Sequence, residues 1–387
     1  MALILSGETV YTKLERVARL ARQAPEMVFT SLSHHIDVEW LREAHRRTRK
    51  DGAPGVDGRT AEQYEQDLEG NLQDLLNRAK SGTYRAPPVR RVHIPKGTRG
   101  EMRPIGVPTY EDKVLQRAVA MLLGAVYEQD FLDCSYGFRP KRSQHQALEA
   151  LRNTVMDMKG GWVLEVDIRK FYDTLKHHHI QEIVRQRVRD GVLLRLIGKW
   201  LHAGVMEDGA ISFPEQGTPQ GGVVSPLLAN VYLHHVLDEW FAREVQPRLR
   251  GEARMVRFAD DVVIVFARES DARRVMAVLP KRFGKYGLTL HPEKTRLVRF
   301  TRPSNGPRRG PKEPPDRRTF DMLGFTHYWA RSRKGYWVVK RRTAKDRLKR
   351  VIQEVNQWCR RNRHKPVEQQ WRRLCKLLRG HDAYYRS

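Results

Sequence analysis

The sequence predicts an α+β fold. Helical and strand-like patterns follow one another without the regular strand–helix–strand period of a doubly wound sheet. Two segments, 89–108 and 255–267, have the paired apolar runs of β-hairpins. About the last fifty residues carry two basic stretches whose apolar positions recur at helical spacing.

In chain order, HHIDVEWLREAHRRTRK (34–50) reads as a basic helix stopped by the turn-rich DGAPGVDG (51–58), and a second amphipathic helix spans about 61–80. In VRRVHIPKGTRGEMRPIGVP (89–108), Val/Ile runs flank a Lys-Gly-Thr-Arg-Gly turn. Helices follow near 111–128 and 143–158. WVLEVDI (162–168) is a short apolar strand ending in an acid, and HHIQEIVRQRV returns to helix. After the Gly/Pro-rich EQGTPQGGVVSP (215–226) a long helix is expected, with Ser225 as N-cap and Pro226 at its first position. MVRFADDVVIVFA (255–267) is two apolar runs hinged on two acids. A helix near 270–286 and a strand near 295–300 come next. RPSNGPRRGPKEPPDRR (302–318) lacks any apolar period and reads as a loop. FDMLGFTHYWA and GYWVVK form a further hairpin. In the tail, Val351, Val355, Trp358, Trp371, Leu374 and Leu378 keep helical spacing.

The 387 residues exceed one ordinary core, so two or three subdomains are expected. The 72 Lys and Arg outnumber 45 Asp and Glu for a net charge of +27, which selects nucleic acid as partner. No apolar run of membrane-spanning length and no basic helix with a lipid face offers the alternative. The N-terminal apolar patch lacks the basic lead of a signal peptide. Cys134, Cys359 and Cys375 make no CxxC pair, which suits a reducing, cytoplasmic compartment and argues against structural zinc. His177, His178 and His179 point in different directions on a helix and so make a poor metal site.

The chemistry centres on acids. An arbitrary Asp-Asp pair usually marks a surface turn, but Asp260 and Asp261 stand between MVRFA and VVIVFA, where two carboxylates are costly unless a cation neutralises them. Asp167 ends another apolar strand that can join them across a sheet. Three hard carboxylates suit Mg²⁺, and two such ions suit in-line phosphoryl transfer.

VRFADDVVIVF resembles the catalytic hairpin of reverse transcriptases, most closely those of bacterial group II introns. The resemblance is an ordered series over roughly residues 50–327. GAPGVDGRT matches the N-terminal extension; YRAPPVRRVHIPKGTRGEMRPIGVPT and SYGFRPKRSQHQAL match the fingers; WVLEVDIRKFYDTLKHHHI carries the first acid. QGTPQGGVVSPLLANVYLHHVLD, LTLHPEKTRLVRF and FDMLGF follow in the family's order. The resemblance implies that Asp167, Asp260 and Asp261 are catalytic and hold two Mg²⁺ ions, with Mn²⁺ as a substitute. It implies that Lys96 and Arg103 grip the incoming triphosphate, that Tyr172 blocks a ribose 2′-hydroxyl while Phe171 faces the core, and that Gln220 lies beside the nucleotide. Arg139 and Lys294 are implied to contact template or primer, and Gly324 to lie near the primer terminus.

The implied architecture is a right-hand polymerase. Residues 1–88 form the N-terminal extension and start of the fingers, 89–160 the fingers interleaved with palm, 161–328 the palm, and 329–387 a helical thumb and the start of a maturase-like region. The implied reaction is addition of dNTPs to a DNA or RNA primer on an RNA template, with intron RNA or another structured RNA as a further partner. Three roles share these motifs: an intron-encoded protein that assists splicing, a domesticated relative in phage defence or CRISPR adaptation, and an RNA-binding maturase whose polymerase role is secondary or vestigial. The last predicts loss of an acid or of the nucleotide loop, and both are intact. GHDAYYRS (380–387) matches only the start of the family's maturase region, and no HNH-like cluster is present, so polymerisation is implied more directly than splicing or retrohoming.

Overall fold

The computed structural model describes residues 9–95, 102–207, 209–218, 221–303 and 318–385. Four helices come first: α1 (Val10–Gln23), α2 (Val38–Arg46), α3 (Ala61–Glu65) and α4 (Leu68–Ser81). Each starts at a Thr or Asp whose side chain accepts an N–H of the first turn: Thr9, Asp37, Thr60 and Asp67. The helix expected over 61–80 is therefore two, because Asp67 caps a fresh start. Strands β1 (Val89–Pro95) and β2 (Met102–Val107) make the expected hairpin, and α5 (Tyr110–Tyr127) and α6 (Gln144–Asp157) follow. Then come β3 (Trp162–Val166), a single helical turn α7 (Phe171–Thr174), α8 (His177–Arg187), α9 (Gly191–Leu201), and the short strands β4 (Val205–Glu207) and β5 (Ala210–Ser212).

Helix α10 (Ser225–Leu233) starts one residue earlier than expected. Val224 is its N-cap, Ser225 is its first residue, and no side chain caps it. Instead the Val224 N–H is taken by buried Gln116 of α5 at 3.2 Å. The helix continues as wider π turns through His234–Glu239 and Phe241–Val245. The hairpin β6 (Ala253–Phe258) and β7 (Asp261–Phe266) is followed by α11 (Glu269–Lys285), β8 (Arg296–Arg299), β9 (Phe320–Met322), β10 (Phe325–Arg331), β11 (Trp337–Thr343), α12 (Lys345–Asn362) and α13 (Val367–Tyr385). The loop expected over 302–318 lies almost wholly outside the described residues.

Three sheets result: β2-β1-β4-β5, β6-β7-β3-β8 and β11-β10-β9. The second is antiparallel throughout and separates two apolar clusters. Period-two alternation sends Leu164, Val166, Val262, Ile264 and Phe266 toward the helices, α5 and α11 among them. Val163, Val263, Val265 and Val298 face α6 and the β9–β11 sheet. The arrangement is α+β, as the sequence predicts.

The tail departs from expectation in two ways. The expected boundary at 328/329 falls inside β10, whose ladder with β11 runs from Phe325↔Thr343 to Arg331↔Trp337. Trp329 belongs to that sheet and not to a thumb helix: it stacks on Phe300 with ring centroids 5.7 Å apart and donates to the Phe300 carbonyl. Helices α12 and α13 contain no buried residue, and Trp371 is 60% exposed. Leu348, Ile352 and Leu378 are exposed as well, while Tyr384 and Tyr385 at the end of α13 dock on Phe325.

Candidate active site

The β6–β7 hairpin closes in a two-residue turn, since Phe258 pairs with Asp261. Ala259 takes the left-handed conformation there, at φ 55°. That geometry sets Asp260 on the turn and Asp261 at the first position of β7. The β3–β7 register runs from Trp162↔Phe266 to Val166↔Val262, and Asp167 and Asp261 are the residues next to that last pair. Both line the same cleft.

Electrostatics report the crowding. The Asp260 carboxyl is raised above its ordinary value by burial and by Asp167, with Arg103 and Arg257 opposing. Asp261 is exposed to the cleft yet crowded by the surrounding protein; desolvation, Asp260 and Asp167 push it up to about 7. A cation would relieve all three. Among the described residues, no three His, Cys, Asp or Glu side chains converge at metal-ligand spacing, so the expected meeting of Asp167, Asp260 and Asp261 around one point is not observed. The donor set still fits Mg²⁺, which takes few protein carboxylates and completes its shell with water and phosphate oxygens.

Other sequence-predicted residues fall on either side of the hairpin. Lys294 reaches Asp167 at 3.7 Å. Gly324, at φ 81°, lines the same ≈ 720 Å³ cleft as Asp167, Asp261 and Lys294. Its left-handed φ favours glycine, and a Cβ there would also lie 2.8 Å from the Tyr385 hydroxyl. On the other side, half-buried Tyr172 is close enough to Asp260 and Arg103 to feel both charges; burial and Asp260 raise its hydroxyl. Phe171 is 2% exposed and faces the core, as expected. These two residues lie on the helical turn α7 and not on a strand. Lys96 and Gln220 lie outside the described residues.

Arg139 needs correcting as a template contact. Its side chain is 6% exposed. The guanidinium donates to Glu128 at 3.0 Å and to the carbonyls of Leu132 and Ser135, each at 2.9 Å. Burial beside a carboxylate and two carbonyls turned it inward. Among the histidines, His177 meets the Gly217 carbonyl at 2.7 Å and is buried, whereas His178 is exposed.

The sequence reading missed Arg257. Fully buried, it donates to Asp238, Asn230, Ser135 and the Ala259 carbonyl, and so grips the turn that carries Asp260. The signal was present: a lone arginine inside the apolar run MVRFA requires buried partners.

The chain belongs to the reverse transcriptase (RNA-dependent DNA polymerase) family, whose model matches residues 94–327, more than half of the sequence and all of the site just described. Among its relatives, Protein YkfC of Escherichia coli (strain K12) is 38% identical over 226 residues, 57% of this chain and 58% of that protein. The group II intron-encoded protein LtrA of Lactococcus lactis subsp. cremoris is 34% identical over 252 residues, 62% and 41%. Nuclear intron maturase 4, mitochondrial, of Arabidopsis thaliana is 26% identical over 136 residues, 35% and 17%. The chain spans about half the length of the curated relatives it matches. Among the described residues, no helix is long and apolar enough to cross a membrane.

Proposed function

We propose that this protein is an RNA-directed DNA polymerase that adds dNTPs to a primer 3′ end on an RNA template. The observation that carries the reading is the Asp167–Asp260–Asp261 constellation. Three carboxylates stand at the end of one antiparallel sheet, where burial and Asp167 raise Asp260, and burial, Asp260 and Asp167 raise Asp261, inside the segment that matches the reverse transcriptase family. Asp167, Asp260 and Asp261 would hold Mg²⁺, which when bound supplies activation of the primer hydroxyl and charge neutralisation on the triphosphate.

The chain's own residues do the positioning. Arg103 on the β1–β2 hairpin, with Lys96, meets the triphosphate oxygens and offsets charge developing on the leaving group. Tyr172 presents its ring to the nucleotide sugar and leaves no volume for a 2′-hydroxyl. Gln220 orients the nucleotide against the template. Lys294 and Gly324, in the cleft beside Asp167, take the primer strand. In this reading the β2-β1-β4-β5 sheet and the helices around it are the fingers, the β6-β7-β3-β8 sheet is the palm, and α12 with α13 is the thumb. The names of the relatives, group II intron-encoded protein and intron maturase, favour intron RNA as template or partner.

Asp260→Asn tests the assignment. It removes a metal ligand and no phosphate contact, so primer extension on poly-rA/oligo-dT with Mg²⁺ falls by orders of magnitude while duplex binding holds. Wild-type rates in the variant would overturn the site.

A further inference from the structure

The turn after the 134–137 segment holds a side chain that the fold does not use. Phe138 stands at φ 55° with 60% of its surface exposed. A bulky residue in the left-handed region is strained, and such strain persists only where the surroundings over-determine it. Here they do. On one side Gly137 lies so close to the catalytic turn that a Cβ would fall 2.3 Å from the Ala259 nitrogen, and its carbonyl accepts from buried Asn230 at 2.6 Å. On the other side Arg139 is clamped by Glu128, Leu132 and Ser135. With both neighbours locked, Phe138 is flipped out of the protein.

Its ring lies beside Phe258, centroids 6.3 Å apart and planes inclined by 43°. Phe258 is the last residue of β6, two positions before Asp260. The two rings therefore form an aromatic ledge at the rim of the candidate active site. Exposed Lys141, also left-handed at φ 59°, lies on the same turn. An exposed, strained aromatic costs stability, while a nucleobase offers a flat π-face to it and a phosphate to the lysine. The charge of +27 makes a nucleic-acid strand the fitting occupant.

We propose that Phe138 is a stacking platform for a nucleobase of the template–primer duplex next to the catalytic turn. Arg139 then has a role, as the clamp that presents the platform. The inference rests on the polymerase reading and adds to it a binding residue that acts through the base and not through the metal acids.

The test measures Kd for a fluorescent RNA/DNA template–primer, by anisotropy, for wild type, Phe138→Gly and Phe138→Tyr. Glycine adopts positive φ without strain, so Phe138→Gly keeps the turn and melts at the wild-type temperature or above. Loss of one base–aromatic stack weakens binding at least about fivefold. Phe138→Tyr keeps the ring and restores wild-type Kd. Single abasic sites near the primer terminus, in one strand at a time, identify the stacked base. Wild type loses affinity at one such site, and Phe138→Gly loses no more there. A Kd for folded Phe138→Gly within twofold of wild type overturns the platform, as does an equal loss in Phe138→Tyr. Primer extension by wild type is scored separately. A protein that binds duplex but never extends it sinks the polymerase reading, while the Kd comparison still decides the platform.

Discussion

Arg257 and Asp238 meet as a bidentate ion pair with neither side chain exposed to solvent. Every remaining N–H of the guanidinium is also taken, by Asn230, Ser135 and the Ala259 carbonyl. The pair fastens three parts of the chain, α10 with its π continuation, the 134–137 segment and β6, directly behind Asp260. Breaking a buried pair from one side leaves an uncompensated charge, which costs about 3–5 kcal/mol. Arg257→Met is expected to lose that much in urea denaturation. Arg257→Met combined with Asp238→Leu recovers a large part, because no charge remains buried. Equal destabilisation by the single and double variants would show that the pair is not the element at stake.

A second buried acid gives stability a pH dependence. Asp112 accepts from Tyr84 at 2.6 Å, from Trp200 at 2.7 Å and from Gln116 at 2.9 Å, and burial still raises its pKa to about 6. The folded chain therefore binds this proton more tightly than the unfolded chain. The associated stability is fully present below about pH 4, is lost as pH rises through about 6, and is constant above. The shift corresponds to about 3 kcal/mol. Denaturant titrations of wild type and Asp112→Asn between pH 4 and 7 isolate it: the difference should swing against wild type across that window. A flat difference would mean that Asp112 is ionised throughout. Gln116 also holds the Val224 N–H, so Asp112→Asn is expected to loosen the loop leading into α10.

Tyr172 and Phe171 make a matched pair for testing sugar selection. Tyr172 lies beside Asp260 and Arg103, and Phe171 is in the core. Tyr172→Ala should admit ribonucleotides, raising the rNTP/dNTP ratio of kcat/KM by about a hundredfold or more, at some cost to dNTP use. Phe171→Ala should lower stability by about 3–5 kcal/mol and leave the ratio alone. A ratio that moves only in the Phe171 variant would place the gate on the neighbouring residue.

Template binding is expected to be dominated by phosphate contacts. The net charge of +27 implies that log Kd rises linearly with log salt, with a slope of several phosphates. Fluorescence anisotropy from about 50 to 200 mM salt measures it. A flat dependence would assign affinity to base contacts instead.

The sequence alone determined the α+β class, the three hairpins and the acids, because each is written in local period. Apolar runs interrupted by Asp167 and by Asp260-Asp261 mark strands that end in charge, and alternation sets which face each residue takes. What lies across from a residue is not local. Only the tertiary structure brought Asp167 and Asp261 into one cleft, through a register between strands almost a hundred residues apart. Only it turned Arg139 inward and Phe138 outward, an inversion of what their polarities suggest, since the desolvation of a side chain depends on neighbours supplied from 128, 230 and 259. The same reason covers Arg257, whose partners come from Ser135, Asn230 and Asp238. It covers the tail as well, where helical spacing was visible but the docking of Tyr384 and Tyr385 on Phe325 was settled by long-range packing.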